Sequence, residues 1–194
     1  MRVLLCGFEP FGDRAVNNAW EIAKAFEGSP HIDVLKLPDS FNKAHRFVED
    51  ILRKQHYDFV LMLGETSFTT DYVRLERLAI NYKDSSKPDN DGITADDEDL
   101  IPGAHKAYFT AFPVKKVAEI LKEKEYRVKV TNSTGTFVCN SLYYHILHYI
   151  ETNQLPIKAL FVHLPASTEI VSLEEMKNTI NAMIKLILVY DKHS

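Results

Sequence analysis

Cysteine is nearly absent: of the 194 residues only Cys6 and Cys139 carry a thiol, too few for a secreted disulfide framework and spaced like neither a zinc knuckle nor a thioredoxin pair. There is no excess of positive charge, since the formal net charge is -4 and the Lys and Arg residues are scattered. The basic stripe that a nucleic acid or an anionic membrane surface demands is therefore missing. Long apolar runs are missing too. No stretch reaches the length needed to span a bilayer, and the apolar run 1–7 meets Gly7 too early for a signal-peptide core. These absences exclude nucleic-acid and membrane partners, make metal binding by the thiols improbable, and point to a cytoplasmic protein with reduced cysteines acting on small molecules or peptides.

What is present suits a well-packed globular chain. With 45% hydrophobic and 26% charged residues, a polypeptide of this length buries enough surface to fold without disulfides or a structural metal, and one domain over 1–194 is expected. Short apolar runs at 3–6, 34–37, 59–63, 128–130 and 160–162 read as buried strands. Amphipathic segments lie between them. One starts after Asn18 as N-cap and buries Trp20, Ile22, Ala23 and Phe26; another starts near Ser40 and buries Ala44, Phe47, Val48, Ile51 and Leu52. A third carries Val117, Ile120 and Leu121, a fourth follows Cys139 over 142–150, and a last is announced by a Ser172/Glu175 capping box. Alternating strands and helices predict an α/β fold, a three-layer α/β/α sandwich with a twisted, mixed, mostly parallel sheet.

Two segments break the rhythm. Residues 72–82 alternate like one half-exposed strand, with Arg74, Glu76, Leu78 and Ile80 on one side and Val73, Leu75, Arg77 and Ala79 on the other. Residues 83–103 are rich in Asp, Asn, Ser, Pro and Gly and read as a long functional or mobile loop, its acidic run 96–99 solvated.

Three residues could do chemistry together. Cys139 lies between a Gly135-bearing turn and a helix, where free backbone N–H groups and the helix dipole favour thiolate and could hold an oxyanion. Free cysteines are commonly just small buried hydrophobes, so position alone leaves both readings open. His163 ends an apolar strand run at the sheet edge where ligands bind in α/β folds, and it could serve as general base and acid. Glu76 is a carboxylate inside an apolar strand pattern, so it needs a partner, with Arg74, Arg77 and His163 as candidates. Cys6 reads as core, and His145 and His148 lack a third ligand for a metal site.

Five motifs in order add to this. Gly7-Phe8-Glu9-Pro10-Phe11-Gly12, with Asn17 and Trp20 after it, resembles the G-F-E/D-P-F-G signature of the pyroglutamyl peptidase I family, also called pyrrolidone carboxyl peptidases. Glu76-Arg77-Leu78-Ala79-Ile80-Asn81 is similar to that family's E-R-x-A-x-N strand, and Pro88-Asp89-Asn90-Asp91-Gly92 to its P-D-N-E-G turn. Gly135-Thr136-Phe137-Val138-Cys139-Asn140 resembles the nucleophile segment and Val162-His163-Leu164-Pro165 the F-I-H-I/V-P segment. The resemblance implies a cofactor-free thiol exopeptidase that removes an N-terminal pyroglutamyl residue from peptides with blocked N-termini. It implies Cys139 as nucleophile, His163 as base and acid, and Glu76 as the group orienting His163. Phe8 and Phe11 would sandwich the pyrrolidone ring, Asn17 belongs to the same pocket, and a homotetramer is implied.

The chain departs from the pattern in three places. The family's Gly-Arg pair after Gly64 is replaced by Glu65-Thr66-Ser67-Phe68-Thr69-Thr70, an Arg then Ile before P-D-N by Ser86 then Lys87, and Tyr-Ile-Pro after His163-Leu164-Pro165 by Ala166-Ser167-Thr168. Glu65 could then accept the lactam N–H, attract a cationic group, or simply face solvent. Two alternatives to the peptidase stay open: a catalytically silent binder of a peptide or lactam, and another amide hydrolase using the same three residues.

Overall fold

The computed structural model describes residues 1–66 and 68–190; Ser67, within the altered stretch after Gly64, lies outside them. Among the described residues, ten strands and five helices follow one another as β1 (Val3–Phe8), α1 (Asn18–Lys24), β2 (Ile32–Leu37), α2 (Ala44–Lys54), β3 (Phe59–Glu65), β4 (Val73–Glu76), β5 (Leu78–Ile80), β6 (Lys83–Ser85), β7 (Ala95–Glu98), β8 (Ala107–Phe109), α3 (Val114–Glu123), β9 (Val128–Thr131), α4 (Val138–Thr152), β10 (Lys158–Leu164) and α5 (Leu173–Tyr190). Six strands form one sheet in the order β2-β1-β3-β10-β4-β9. The first four run parallel, whereas β4 pairs antiparallel with β10 and parallel with β9.

Side-chain alternation along the central strands divides the core between two faces. Val3, Leu5, Leu61, Leu63, Leu160 and Val162 pack against α1, α3 and α5. Leu4, Cys6, Val60, Met62, Ala159 and Phe161 pack against α2 and α4. The three-layer α/β/α sandwich with a mixed, mostly parallel sheet is thus observed.

Local expectations needed four corrections. The cap of α1 is Asn17 rather than Asn18: the Asn17 side chain accepts from the N–H of Ala19, and Asn18 is already helical. Phe47, expected inside α2, is 47% exposed, because the buried stripe of that helix runs through Ala44 and Val48. Segment 72–82 is two strands, not one. It breaks at Arg77, so Val73 and Leu75 face one core while Ala79 faces the other, and β5 leaves the main sheet to pair with β8. Segment 83–103 is no open loop, because β6 and β7 pair as an antiparallel hairpin, and the exposed acidic residues of β7 are held partly by the Lys83–Glu98 ion pair at 3.0 Å. The Ser172/Glu175 capping box forms as expected, with reciprocal bonds of 2.8 Å and 3.2 Å.

Candidate active site

The carboxyl ends of β1, β3 and β10 meet the start of α4, and the residues singled out above gather there. His163 is register partner of Gly64 across the β3–β10 pair, and Gly64 lies against Cys139 of α4. A Cβ on Gly64 would lie 3.0 Å from Sγ of Cys139 and 2.8 Å from Cζ of Phe161. Only glycine leaves room for the sulfur over this strand position. His163 donates from Nδ1 to Oε1 of Glu76 at 2.9 Å in a buried contact. This fixes the tautomer and leaves Nε2 with a free lone pair. Cys139, His163 and Glu76 therefore converge from three separate segments.

Glu76 has no exposure, so its charge must be answered from within. Its Oε2 accepts from Oγ1 of Thr131 at 2.7 Å, and Nε of Arg74 lies 3.0 Å from the same Oε1 that faces His163. Of the three candidate partners, Arg74 and His163 are engaged with Glu76. Arg74 itself donates to the carbonyl of Ser133 at 2.8 Å, and its guanidinium lies 5.0 Å from the ring centre of Phe68. The sequence marked Arg74 only as one of several partners, whereas the structure makes it a shared cation on the histidine's carboxylate.

Gly135, at φ +84°, turns the chain into α4 in a conformation that favours glycine. Phe137, the N-cap of α4, supplies no side-chain hydrogen bond, so the N–H groups of the first turn are not claimed by a cap. Cys139 sits in that turn, inside the helix rather than before it. The following Asn140 locks the helix start to the strand after Glu76, accepting from the N–H of Ile80 and donating to the carbonyls of Ile80 and Tyr82 at 2.9 to 3.0 Å. The expectation that this helix end would favour thiolate is outweighed. Burial, then the carboxylates of Asp39, Glu76 and Glu65, push the Cys139 thiol well up, against a smaller opposing effect of its own N–H.

The pocket residues fare differently. Phe8 is 2% exposed and lies beside Phe161, with ring centres 6.5 Å apart, so it is mainly core. Phe11 is half-buried and packs edge-on against Phe137 at 5.2 Å, which Phe41 meets at the same distance from another side. The aromatic wall thus includes Phe41 and Phe137, which the sequence did not single out as ring contacts. Asn17 has its side chain occupied by the cap and by the carbonyl of Glu9 at 3.0 Å.

Glu65 does not face solvent: its side chain is 8% exposed, accepts from the N–H of Asn18 at 2.7 Å and is ion-paired with Arg14. Burial raises its carboxyl, and these two donors pull it back. Arg14 and Asn18 also donate to the carbonyl of Ala166, so this cluster ties the 9–17 loop to the ends of β3 and β10. Lys87 and Ser86 are exposed. His145 stacks on His45 at 4.0 Å and His148 bonds the hydroxyl of Tyr108 at 2.8 Å. Among the described residues no group of three or more His, Cys, Asp or Glu is arranged to hold a metal, and no helix is long and apolar enough to cross a membrane.

Known proteins share both this sequence and this fold. The profile of the family described as Pyroglutamyl peptidase matches residues 1–187. A pyrrolidone-carboxylate peptidase of Thermococcus kodakarensis is 37% identical over 175 residues, which is 87% of this chain and 83% of that one. Pyrrolidone-carboxylate peptidase 1 of Caldanaerobacter subterraneus subsp. tengcongensis is 34% identical, covering 97% of this chain and 98% of its own. Among solved structures, the pyrrolidone carboxyl peptidase of Fervidobacterium islandicum AW-1 superposes with a TM-score of 0.88 at 34% identity, covering 96% of this chain and 98% of that one. The pyroglutamyl peptidase I of Bacillus amyloliquefaciens gives 0.88 at 30% identity, with 94% of each chain covered. Sequence similarity over nearly the whole length and agreement in fold lead to one conclusion: this chain belongs to the pyroglutamyl peptidase family.

Proposed function

We propose that the chain is a cysteine exopeptidase that hydrolyses the amide bond after an N-terminal pyroglutamyl residue, with Cys139 as nucleophile, His163 as general base and acid, and Glu76 as the group that orients His163. The observation that carries this reading is the buried Glu76–His163 pair at 2.9 Å, set beside the one strand position whose lack of a side chain admits the Cys139 sulfur. With Nδ1–H given to Glu76, Nε2 is the base. Because burial and nearby carboxylates raise the Cys139 thiol, the resting sulfur keeps its proton. It is activated only as attack proceeds.

Sγ attacks the pyroglutamyl carbonyl carbon while its proton passes to Nε2. The carbonyl oxygen becomes an oxyanion, which the first-turn N–H groups of α4 stabilise. Collapse breaks the C–N bond, and the leaving amine takes the proton from Nε2. A water, deprotonated by the same nitrogen, then attacks the thioester and releases pyroglutamate and the thiol. Apart from that water, every group in this sequence belongs to the chain or the substrate.

A peptide with a blocked N-terminus is the partner that follows from this reading. A cytoplasmic address and a homo-oligomer, tetrameric as the family resemblance implies, are part of the same proposal; two free thiols suit a reducing compartment, and sedimentation velocity measures the assembly. The activity is tested by following release of coumarin from a pyroglutamyl-coumarin amide beside unmodified aminoacyl amides, with wild type and Cys139→Ala. Turnover of the pyroglutamyl amide by wild type alone is expected. Turnover confined to unmodified aminoacyl amides overturns the specificity, and no turnover by a folded wild type favours a silent binder.

A further inference from the structure

Asp39 is a carboxyl group that the reaction described above does not use and that nothing in the fold satisfies. It follows β2 at the carboxyl edge of the sheet, in the turn where Leu37 is register partner of Phe8. The residue is 8% exposed, and its Oδ1 is fully buried with no hydrogen-bond partner. Two other carboxylates stand near it, and both are provided for. Glu9 Oε1 accepts from the Asp39 N–H at 3.2 Å and from Nδ2 of Asn90 at 3.0 Å. Asp89 accepts from the N–H groups of Phe41, Asp91 and Ile93 at 2.8 to 2.9 Å. Even the backbone of Asp39 is fixed, since its carbonyl takes the Asn90 N–H at 2.9 Å. A rigidly held carboxyl oxygen without a donor costs on the order of 1–3 kcal/mol and needs an explanation.

The surroundings say what donor it awaits. Asp39 lies two residues before Phe41, whose ring packs on Phe137, the residue that starts the helix of Cys139. Among the charged groups acting on the Cys139 sulfur, Asp39 acts more strongly than Glu76. The turn that carries the open oxygen is thus joined, through Phe41 and Phe137, to the helix of the reacting sulfur. A substrate that lies against Phe11 and Phe137 is flat and mostly apolar, and one that also answers this acceptor carries one N–H. A five-membered lactam has this composition. A carboxyl Oδ1 can accept a hydrogen bond whether the group is ionised or neutral, so the match holds in either state.

We propose that the unpartnered Oδ1 of Asp39 accepts the ring N–H of the pyroglutamyl residue, which makes Asp39 a specificity-determining residue of this site. The proposal rests on the pyroglutamyl reading given above and names the side chain that enforces it. Sites that hydrogen-bond a substrate N–H discriminate strongly against analogues lacking it, because their buried acceptor is then left unpaired.

The experiment compares kcat/KM for a pyroglutamyl-coumarin amide with that for the carbocyclic analogue, 3-oxocyclopentane-carbonyl coumarin amide, in which CH2 replaces the ring N–H. Prolyl-coumarin amide, whose ring nitrogen is a cationic amine, is the third substrate. Wild type is expected to prefer the lactam over the carbocycle by about 10- to 100-fold, the factor that one buried hydrogen bond supplies. In Asp39→Ala that ratio falls to within a few-fold of unity, and Asp39→Asn, which keeps an acceptor oxygen, restores part of it. Alkylation of Cys139 by iodoacetamide and circular dichroism report whether each variant is folded with an intact nucleophile. A ratio unchanged in folded Asp39→Ala overturns the proposal while leaving the peptidase reading standing. Wild-type preference for the prolyl amide that Asp39→Ala abolishes overturns both the proposal and the pyroglutamyl specificity, since Asp39 would then pair with a cation. Wild type inactive on both lactam and carbocycle defeats the peptidase reading itself.

Discussion

Replacing Arg74 with Met removes the cation that shares Oε1 of Glu76 with His163 while keeping the length of the aliphatic stem. At 3.0 Å and an effective dielectric of about 20, the direct attraction between the two charges is about 5 kcal/mol. That is an upper bound on the loss. Thr131 and His163 still donate to the carboxylate, whereas the carbonyl of Ser133 loses its donor. Breaking one side of a buried ion pair typically costs about 3–5 kcal/mol because the other charge is stranded, and Glu76 has no solvent to turn to. We expect Arg74→Met to lose about 3–4 kcal/mol in urea unfolding, a large share of the roughly 5–15 kcal/mol that holds an ordinary domain together. The decisive measurement is the double-mutant cycle with Glu76→Gln. If the carboxylate is what Arg74 serves, Arg74→Met costs at least about 2 kcal/mol less once Glu76 is neutral. A loss below about 1 kcal/mol in the single variant, or strict additivity in the cycle, would refute the reasoning and reduce Arg74 to a surface-like pair.

Gly64→Ala places a methyl 3.0 Å from Sγ of Cys139 and 2.8 Å from Phe161, so the sulfur or the ring must shift. We expect at least a tenfold fall in kcat/KM with about 1–3 kcal/mol of destabilisation, and kinetics matching wild type would show that the sulfur has slack. The raised Cys139 thiol predicts that iodoacetamide alkylation in the substrate-free protein keeps accelerating as pH climbs past neutrality; a plateau below pH 7 would reveal a preformed thiolate. His45, stacked on His145, is pushed down to about 3, chiefly by burial and then by the neighbouring charges of His145 and Arg46. A depressed histidine binds its proton more readily in the unfolded chain, so its contribution is full above about 6.5 and is lost as pH falls towards 3. His45→Phe should therefore flatten the fall in unfolding free energy between those values by roughly 2 kcal/mol, allowing for partial exposure, and an unchanged acid limb would rule His45 out.

The layers and the strand positions were legible because apolar runs and helical spacing carry them directly: five predicted strands match β1, β2, β3, β9 and β10. What the periodicity could not reveal was the break at Arg77. Alternation through 72–82 looks continuous in sequence, but it inverts in space when β5 leaves the sheet to join β8. The hairpin of β6 and β7 was hidden because its residues are turn formers and acids, and what orders it is distant. Asp89 and Asn90 hold it to Phe41, Glu9 and Pro10. Within the site, Cys139, His163 and Glu76 drew notice through motifs, and the structure sets Glu76 against His163 and Cys139 over Gly64. Arg74 drew notice only as one possible partner of Glu76. Asp39, which follows a proline in an ordinary-looking turn, gave no signal at all, since a lone Asp after Pro38 is what a solvated turn looks like.

Asp39 also exposes a conflict between stability and function that can be measured. Burial, and then the charges of Asp89 and Glu9, raise its carboxyl from an ordinary 3.8 to about 7. The folded chain therefore holds a proton that the unfolded chain has already released, so stability declines as pH rises from about 4 and the penalty is complete above about 7. The full shift corresponds to roughly 4 kcal/mol, and about 2–4 kcal/mol is the range expected once local relaxation is allowed for. Asp39→Asn carries no such proton, so its unfolding free energy relative to wild type should improve by that amount between pH 4 and pH 8. A difference independent of pH would mean that the carboxyl is satisfied in solution and has no vacancy to offer a substrate. A rising difference, joined to the loss of lactam preference expected in Asp39→Ala, would identify a group kept at the expense of the fold, because the donor it lacks arrives only with the substrate.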